Sequence, residues 1–118
     1  MRYMLLIYGE ENVLDAEQRE ACYHESAGLA RDLAAEGVYR DASPLRMVSS
    51  ATSVRVRDGK RLVTDGPFAE TREQLGGYYI VDTENLDEAL AVAARIPGAR
   101  WGTVEVRPIL EIPGLPEE

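Results

Sequence analysis

RYMLLIY, residues 2–8, is apolar at nearly every position and is cut off by Gly9. A strand with one face in water alternates apolar and polar side chains, whereas a strand covered on both faces reads as a continuous apolar run. Residues 2–8 therefore form a central strand that needs cover on both sides. A second stretch of the same kind, Tyr78-Tyr-Ile-Val-Asp82, lies in the second half of the chain.

Working outward from the first run, Asp15-Ala-Glu-Gln18 has the spacing of a capping box, in which two side chains satisfy each other's backbone N–H groups. It predicts a helix running to Gly37, with Cys22, Ser26, Leu29, Ala30 and Leu33 on one face. Val38 to Leu45 reads as a strand stopped by Ser43-Pro44. In TSVRVRDGKRLVT, residues 52–64, Val54 and Val56 alternate with Arg55 and Arg57, and Asp58-Gly59 supplies a hairpin turn. Asn85-Leu-Asp-Glu88 caps a second helix with Leu86, Ala89, Leu90 and Ala93 as its apolar stripe, ended by Pro97-Gly98. Thr103 to Ile109 alternates as a final strand, and the Pro-rich residues 111–118 form an extended arm.

The order strand, helix, strand, hairpin, strand, helix, strand predicts a single α+β domain over residues 1–118. Its architecture is ferredoxin-like, β-α-β-β-α-β with an inserted β-hairpin. Two helices cover only one face of such a sheet, yet residues 2–8 and 78–82 are apolar toward both. A second copy of the chain is the expected cover, which gives a two-fold homodimer.

Composition narrows the function. With 21 acidic against 13 basic residues in 118, the formal charge is -8. That argues against a sequence-independent grip on nucleic acid and equally against an anionic membrane surface. Cys22 is the single cysteine, so no intramolecular disulfide forms, and with only one histidine, His24, a structural zinc site is not expected. The N-terminal apolar run is too short for a signal peptide or a membrane span, and a cytoplasmic location is expected. The chain has no Gly-rich phosphate loop, Ser-His-Asp order or metal-ligand spacing, so no cofactor is expected.

TDGPFAETREQLGGYY, residues 64–79, interrupts the strand pattern. Asp65-Gly66-Pro67 is a turn signature, Phe68 reads as an anchor pressed into the core, and Thr71-Arg-Glu-Gln74 has the spacing of a single capped helical turn. Gly76-Gly77 before a strand signals a bulge or a close backbone approach. A purely structural reading stops there. In a functional reading Asp65 faces a cleft as general base or ligand acceptor and Arg55 serves as an anion partner. Gly66 and Gly77 then let a ligand lie against bare backbone. Tyr78 and Tyr79 point to opposite faces, so one of them presents a hydroxyl to any pocket. Ser26 is polar where the helix face is apolar; it lines a cavity or bonds back to the helix. His24, opposite Leu29 and Leu33 on the wheel, is a surface residue that acts in a cleft only if the helix turns that side toward a partner subunit.

Residues 63–79, together with MRYMLLIYG at the start, TSVRVRDGK before the motif and DEALAVAARIPGARWGTVEVRPI after it, resemble the DGPF group of the YCII-related family. The resemblance covers essentially the whole chain. It implies a dimeric α+β barrel with a cleft near the subunit interface, but it supplies no reaction. Members of the group are often encoded beside, or joined to, sigma factors of the extracytoplasmic-function class. Two functions therefore stand: a small-molecule-binding protein or enzyme, and a non-enzymatic regulatory or interaction module acting with a sigma factor. Some wider relatives of the fold handle small aromatic or lactone substrates. In some YCII-like relatives a His on the first helix and an Asp before the proline after the second helix are proposed as an acid–base pair. Here Ser26 and Ile96 stand at those positions.

Overall fold

The structure is a computed structural model that describes residues 1–116. The elements are β1 (Arg2–Gly9), α1 (Ala16–Ala35), β2 (Tyr39–Pro44), β3 (Thr52–Arg57), β4 (Lys60–Asp65), β5 (Gln74–Asp82), α2 (Leu86–Arg95) and β6 (Thr103–Pro108). Short 3-10 turns occur at Val48–Ser50 and Pro97–Arg100. Of the Pro-rich arm expected over 111–118, the last two residues lie outside the described residues.

Four strands form an antiparallel sheet in the order β2-β5-β1-β6. The two continuous apolar runs are thus its two central strands, β1 and β5. Register puts Leu5 between Tyr79 and Val106, and alternation sends Tyr3, Leu5, Tyr79 and Val81 toward the helices. There they meet Leu29 and Leu33 of α1 and Ala89, Val92 and Ala93 of α2 to form the core. Met4, Leu6 and Ile80 alternate to the other face, on which neither helix packs.

The capping box of α1 is present: the Asp15 carboxylate accepts from the Gln18 N–H at 2.8 Å and the Gln18 side chain accepts from the Asp15 N–H at 2.9 Å. Gly37, at φ +81, ends the helix in a conformation that a side chain would strain. Asn85 caps α2 through its side-chain oxygen, 2.9 Å from the Glu88 nitrogen. The stripe of α2 differs from expectation. Ala89, Val92 and Ala93 are buried, while Leu86 and Leu90 are exposed at the rim. The small alanines face the sheet and the bulkier leucines take the edge of the apolar arc.

Gly76-Gly77 does what its spacing suggested. Ile7 pairs with Gly77 but Tyr8 pairs with Leu75, so Gly76 is the extra residue of a β-bulge. A Cβ on Gly77 would lie 2.9 Å from the Ser43 carbonyl oxygen, so the neighbouring strand β2 makes the close approach.

The hairpin β3–β4 turns at Asp58 (φ 52) and Gly59 (φ 72), two adjacent left-handed residues that match strand twist. It pairs with no other strand. Val54 and Val56 are 62% and 64% exposed, so neither faces a core, because a two-stranded ribbon has no third layer to bury them. Phe68 is 78% exposed and is not a core anchor; the Arg55 guanidinium lies 5.3 Å from its ring centroid. Arg72 and Glu73 form a bend that leads into β5 at Gln74, and not the expected helical turn. The Thr71 hydroxyl donates to the Glu73 carbonyl (2.6 Å) and the Gln74 amide to the Thr71 carbonyl (3.1 Å), so both side chains serve carbonyls and none of the N–H groups of a helix start. The segments flanking the arm are tied down by an Arg72–Glu10 ion pair, by Thr103 donating to Glu73 and by the Val48 N–H donating to Glu11. The radius of gyration, 16.0 Å against about 13.5 Å for a compact chain of this length, reflects a ribbon standing away from the body.

Candidate functional site

Helix α1 reaches the sheet only through its C-terminal half, where Leu29 and Leu33 are buried. Earlier on the same face stand Ser26, Cys22 and Arg19, and the sheet opposite presents Ala42 and Gly77. Ser26, Cys22, Ala42 and Gly77 are too small to fill the space between the layers. The result is a cavity of about 440 Å³ between α1, the loop after β1 and the β2–β5 edge. Leu14, Tyr39, Met47 and Trp101 give it apolar and aromatic walls, and the exposed Tyr23 and Leu45 stand at its rim.

Glu10, Glu11, Arg19 and Gln74 add charged and polar groups to the lining, and several polar groups in and around it are engaged in hydrogen bonds. The buried Tyr79 hydroxyl donates to the Ser26 carbonyl at 2.7 Å, and burial pushes its pKa up. Burial likewise pushes the Cys22 thiol up and keeps it protonated at neutral pH; the neighbouring Ser26 hydroxyl pulls the other way. Glu25 receives both arms of the Arg100 guanidinium (2.8 and 2.6 Å), which clamps α1 to the turn Pro97–Arg100. That bond holds Glu25 below the usual carboxylate range, and the same guanidinium lies 5.2 Å from the Trp101 ring centroid. Tyr78 donates to the Asp41 carboxylate at 2.8 Å, which is the main reason its pKa is raised. Arg19 donates to two backbone carbonyls, Leu14 at 3.2 Å and Glu11 at 3.4 Å.

The residues singled out from sequence divide between two places. Ser26, Gly77 and Tyr78 line the cavity, with the Tyr78 hydroxyl engaged by Asp41. Asp65, Gly66 and Arg55 belong to the hairpin arm and do not. The Asp65 carboxylate is exposed and has no partner among the described residues. Gly66, at φ +101, donates to the Ala51 carbonyl at 2.7 Å, so the turn itself requires it. His24 is on the outer side of α1, with Nε2 3.4 Å from a Glu20 carboxylate oxygen, and does not reach the cavity. Ser26 and Ile96, the two positions aligned with the acid–base pair of relatives, both line it.

Arg19, Tyr23 and Trp101 were not singled out from sequence. Arg19 could have been found by extending the stripe of Cys22 and Ser26 one turn toward the helix start. Trp101 arrives from the turn after α2, and only the tertiary fold brings it there. Among the described residues no three His, Cys, Asp or Glu side chains gather so as to hold a metal ion, and no helix is long and apolar enough to cross a membrane.

Two helices on one face of a four-stranded antiparallel sheet ordered β2-β5-β1-β6 place the protein in the ferredoxin-like α+β class. Within that class the chain belongs to the YCII-related domain family, whose sequence profile matches residues 1–113. It is 39% identical over 118 residues to an uncharacterized protein of Rhizobium meliloti (strain 1021), a match that covers 92% of each chain.

Proposed function

We propose that this YCII-related protein is a homodimeric small-molecule-binding protein whose ligand occupies the cavity between α1 and the sheet. The cavity carries the reading. It is a recess of about 440 Å³ between α1 and the β2–β5 edge, open to solvent at Tyr23 and Leu45, and of the size of small-molecule pockets. Its size, and its apolar and aromatic walls interspersed with polar groups, suit a small organic ligand. Binding is favoured over acid–base turnover because Ser26 and Ile96 stand where relatives are proposed to carry His and Asp, and the one histidine is outside.

Pairing of two copies is supported by the uncovered sheet face with Met4, Leu6 and Ile80 and by the exposed apolar arm with Val54, Val56 and Phe68. Light scattering at micromolar concentration should give twice the chain mass; a monomer removes this part of the proposal.

A second reading places a site between subunits around Asp65 and Arg55, with Asp65 as general base or ligand acceptor. The unpartnered Asp65 carboxylate on a free-standing arm favours it. The interaction-module alternative, with a sigma factor as partner, draws on the same arm and on the acidic charge.

A thermal-shift panel of small organic acids, phenols and lactones separates these readings when run on wild type, Ser26→Leu and Asp65→Asn. A shift lost only in Ser26→Leu is the expected result. A shift lost only in Asp65→Asn moves the site to the arm, and no shift with any compound favours the interaction module.

A further inference from the structure

We infer that the ligand of this cavity is an organic acid: a ring-sized apolar body carrying a carboxylate that docks on Arg19. The inference rests on the ligand-binding reading above and names its ligand class. Arg19 is half-buried in the cavity wall and donates only to the backbone carbonyls of Glu11 and Leu14. Among the described residues no carboxylate pairs with it. In a chain with 21 acidic residues against 13 basic ones it is a half-buried cation without an ion-pair partner among the described residues, and the neighbouring carboxylates are engaged elsewhere. Glu10 pairs with Arg72, and Glu11 accepts from the Val48 N–H. A guanidinium offers five donors in a planar fork, and both of its present bonds use one nitrogen, Nη2. Those two carbonyls fix the fork at the end of α1 and leave its remaining donors for a planar anion, which Arg receives in bidentate fashion. Elsewhere on the wall Leu14, Tyr39, Met47 and Trp101 supply apolar and aromatic surface that suits an aromatic body.

Glu10 and Glu11 also line the cavity and oppose an anion; Glu10 is paired with Arg72, so Glu11 supplies an internal check on the sign of the ligand. Isothermal titration of trans-cinnamate and of its neutral isostere cinnamamide, on wild type, Arg19→Met and Glu11→Gln, tests the inference. Cinnamate should bind wild type more tightly than cinnamamide. Arg19→Met should weaken cinnamate by about 10- to 100-fold, the value of a charge-assisted bond, and leave cinnamamide unchanged. Glu11→Gln, which keeps an acceptor for Val48, should tighten cinnamate several-fold. Should Arg19→Met fail to fold, the acid-to-amide ratio on wild type and Glu11→Gln still decides. Equal binding of acid and amide overturns the organic-acid inference and leaves the cavity as a binding site. Binding of neither compound overturns both.

Discussion

Filling the cavity from within should stabilise the protein while destroying its proposed site, and Ser26→Leu is the substitution that does so. Ser26 is half-buried on the α1 face toward the sheet and lines the cavity of about 440 Å³. Leucine removes one hydroxyl and adds three carbons, each worth about 0.8 kcal/mol if fully buried. Helix propensity adds roughly 0.3 kcal/mol. Against this stand about 0.5–1 kcal/mol of leucine rotamer entropy and roughly 0.5 kcal/mol for the polar interactions lost with the hydroxyl. With partial burial the balance is about 1 kcal/mol of added stability, or some 4 °C in Tm for a chain of this size. Urea unfolding followed by circular dichroism measures it directly. If the space were already packed, the same change would be overpacking and would cost about 1–3 kcal/mol. A destabilised Ser26→Leu therefore refutes the reasoning.

Gly102→Ala should cost about 2–3 kcal/mol by urea unfolding, because its Cβ would lie 2.1 Å from the Tyr8 carbonyl oxygen and the contact is backbone that cannot yield. Tyr79→Phe removes the buried hydroxyl that donates to Ser26 and should cost about 1 kcal/mol by the same assay. Glu25 and Glu36 are both held below the usual carboxylate range, chiefly by hydrogen bonds from Arg100 and Arg95. Their contribution is complete above the unfolded carboxylate pKa and is lost as pH falls through the lower folded values. The Tm of wild type should therefore fall more steeply below about pH 4 than that of Glu25→Gln/Glu36→Gln. Phe68→Ser should leave the unfolding free energy of the isolated chain unchanged, since the ring is exposed, and should weaken self-association in sedimentation velocity if the arm contacts a partner.

What could be read from sequence was whatever depends on neighbours along the chain. The runs at 2–8 and 78–82 located the central strands, because double-sided burial leaves a continuous apolar signature. The caps at Asp15 and Asn85 and the turn at Asp58-Gly59 depend on spacing and backbone freedom, and they appear where expected. Periodicity says which side chains share a face but not whether anything covers that face. Val54 and Val56 therefore alternate as a half-buried strand would and yet lie in the open. Phe68 misled for the same reason. Thr71-Arg-Glu-Gln74 has capping-box spacing without the helical N–H groups that the box must satisfy, and the chain enters β5 instead. At the candidate site, a serine on an apolar helix face was the usable local signal. Its aromatic wall is assembled from the turn after α2 and from strands distant in sequence, which no spacing rule joins.

Backbone-amide shift mapping with trans-cinnamate tests the central claim most directly, because it reports where a ligand sits without any substitution. The account predicts that amides of Arg19 to Ser26 on α1, of Leu45 to Val48 and of Gly76 to Tyr79 move on titration while those of Thr52 to Asp65 stay still. Movement confined to the Asp65–Phe68 segment and the arm, with α1 silent, would contradict it.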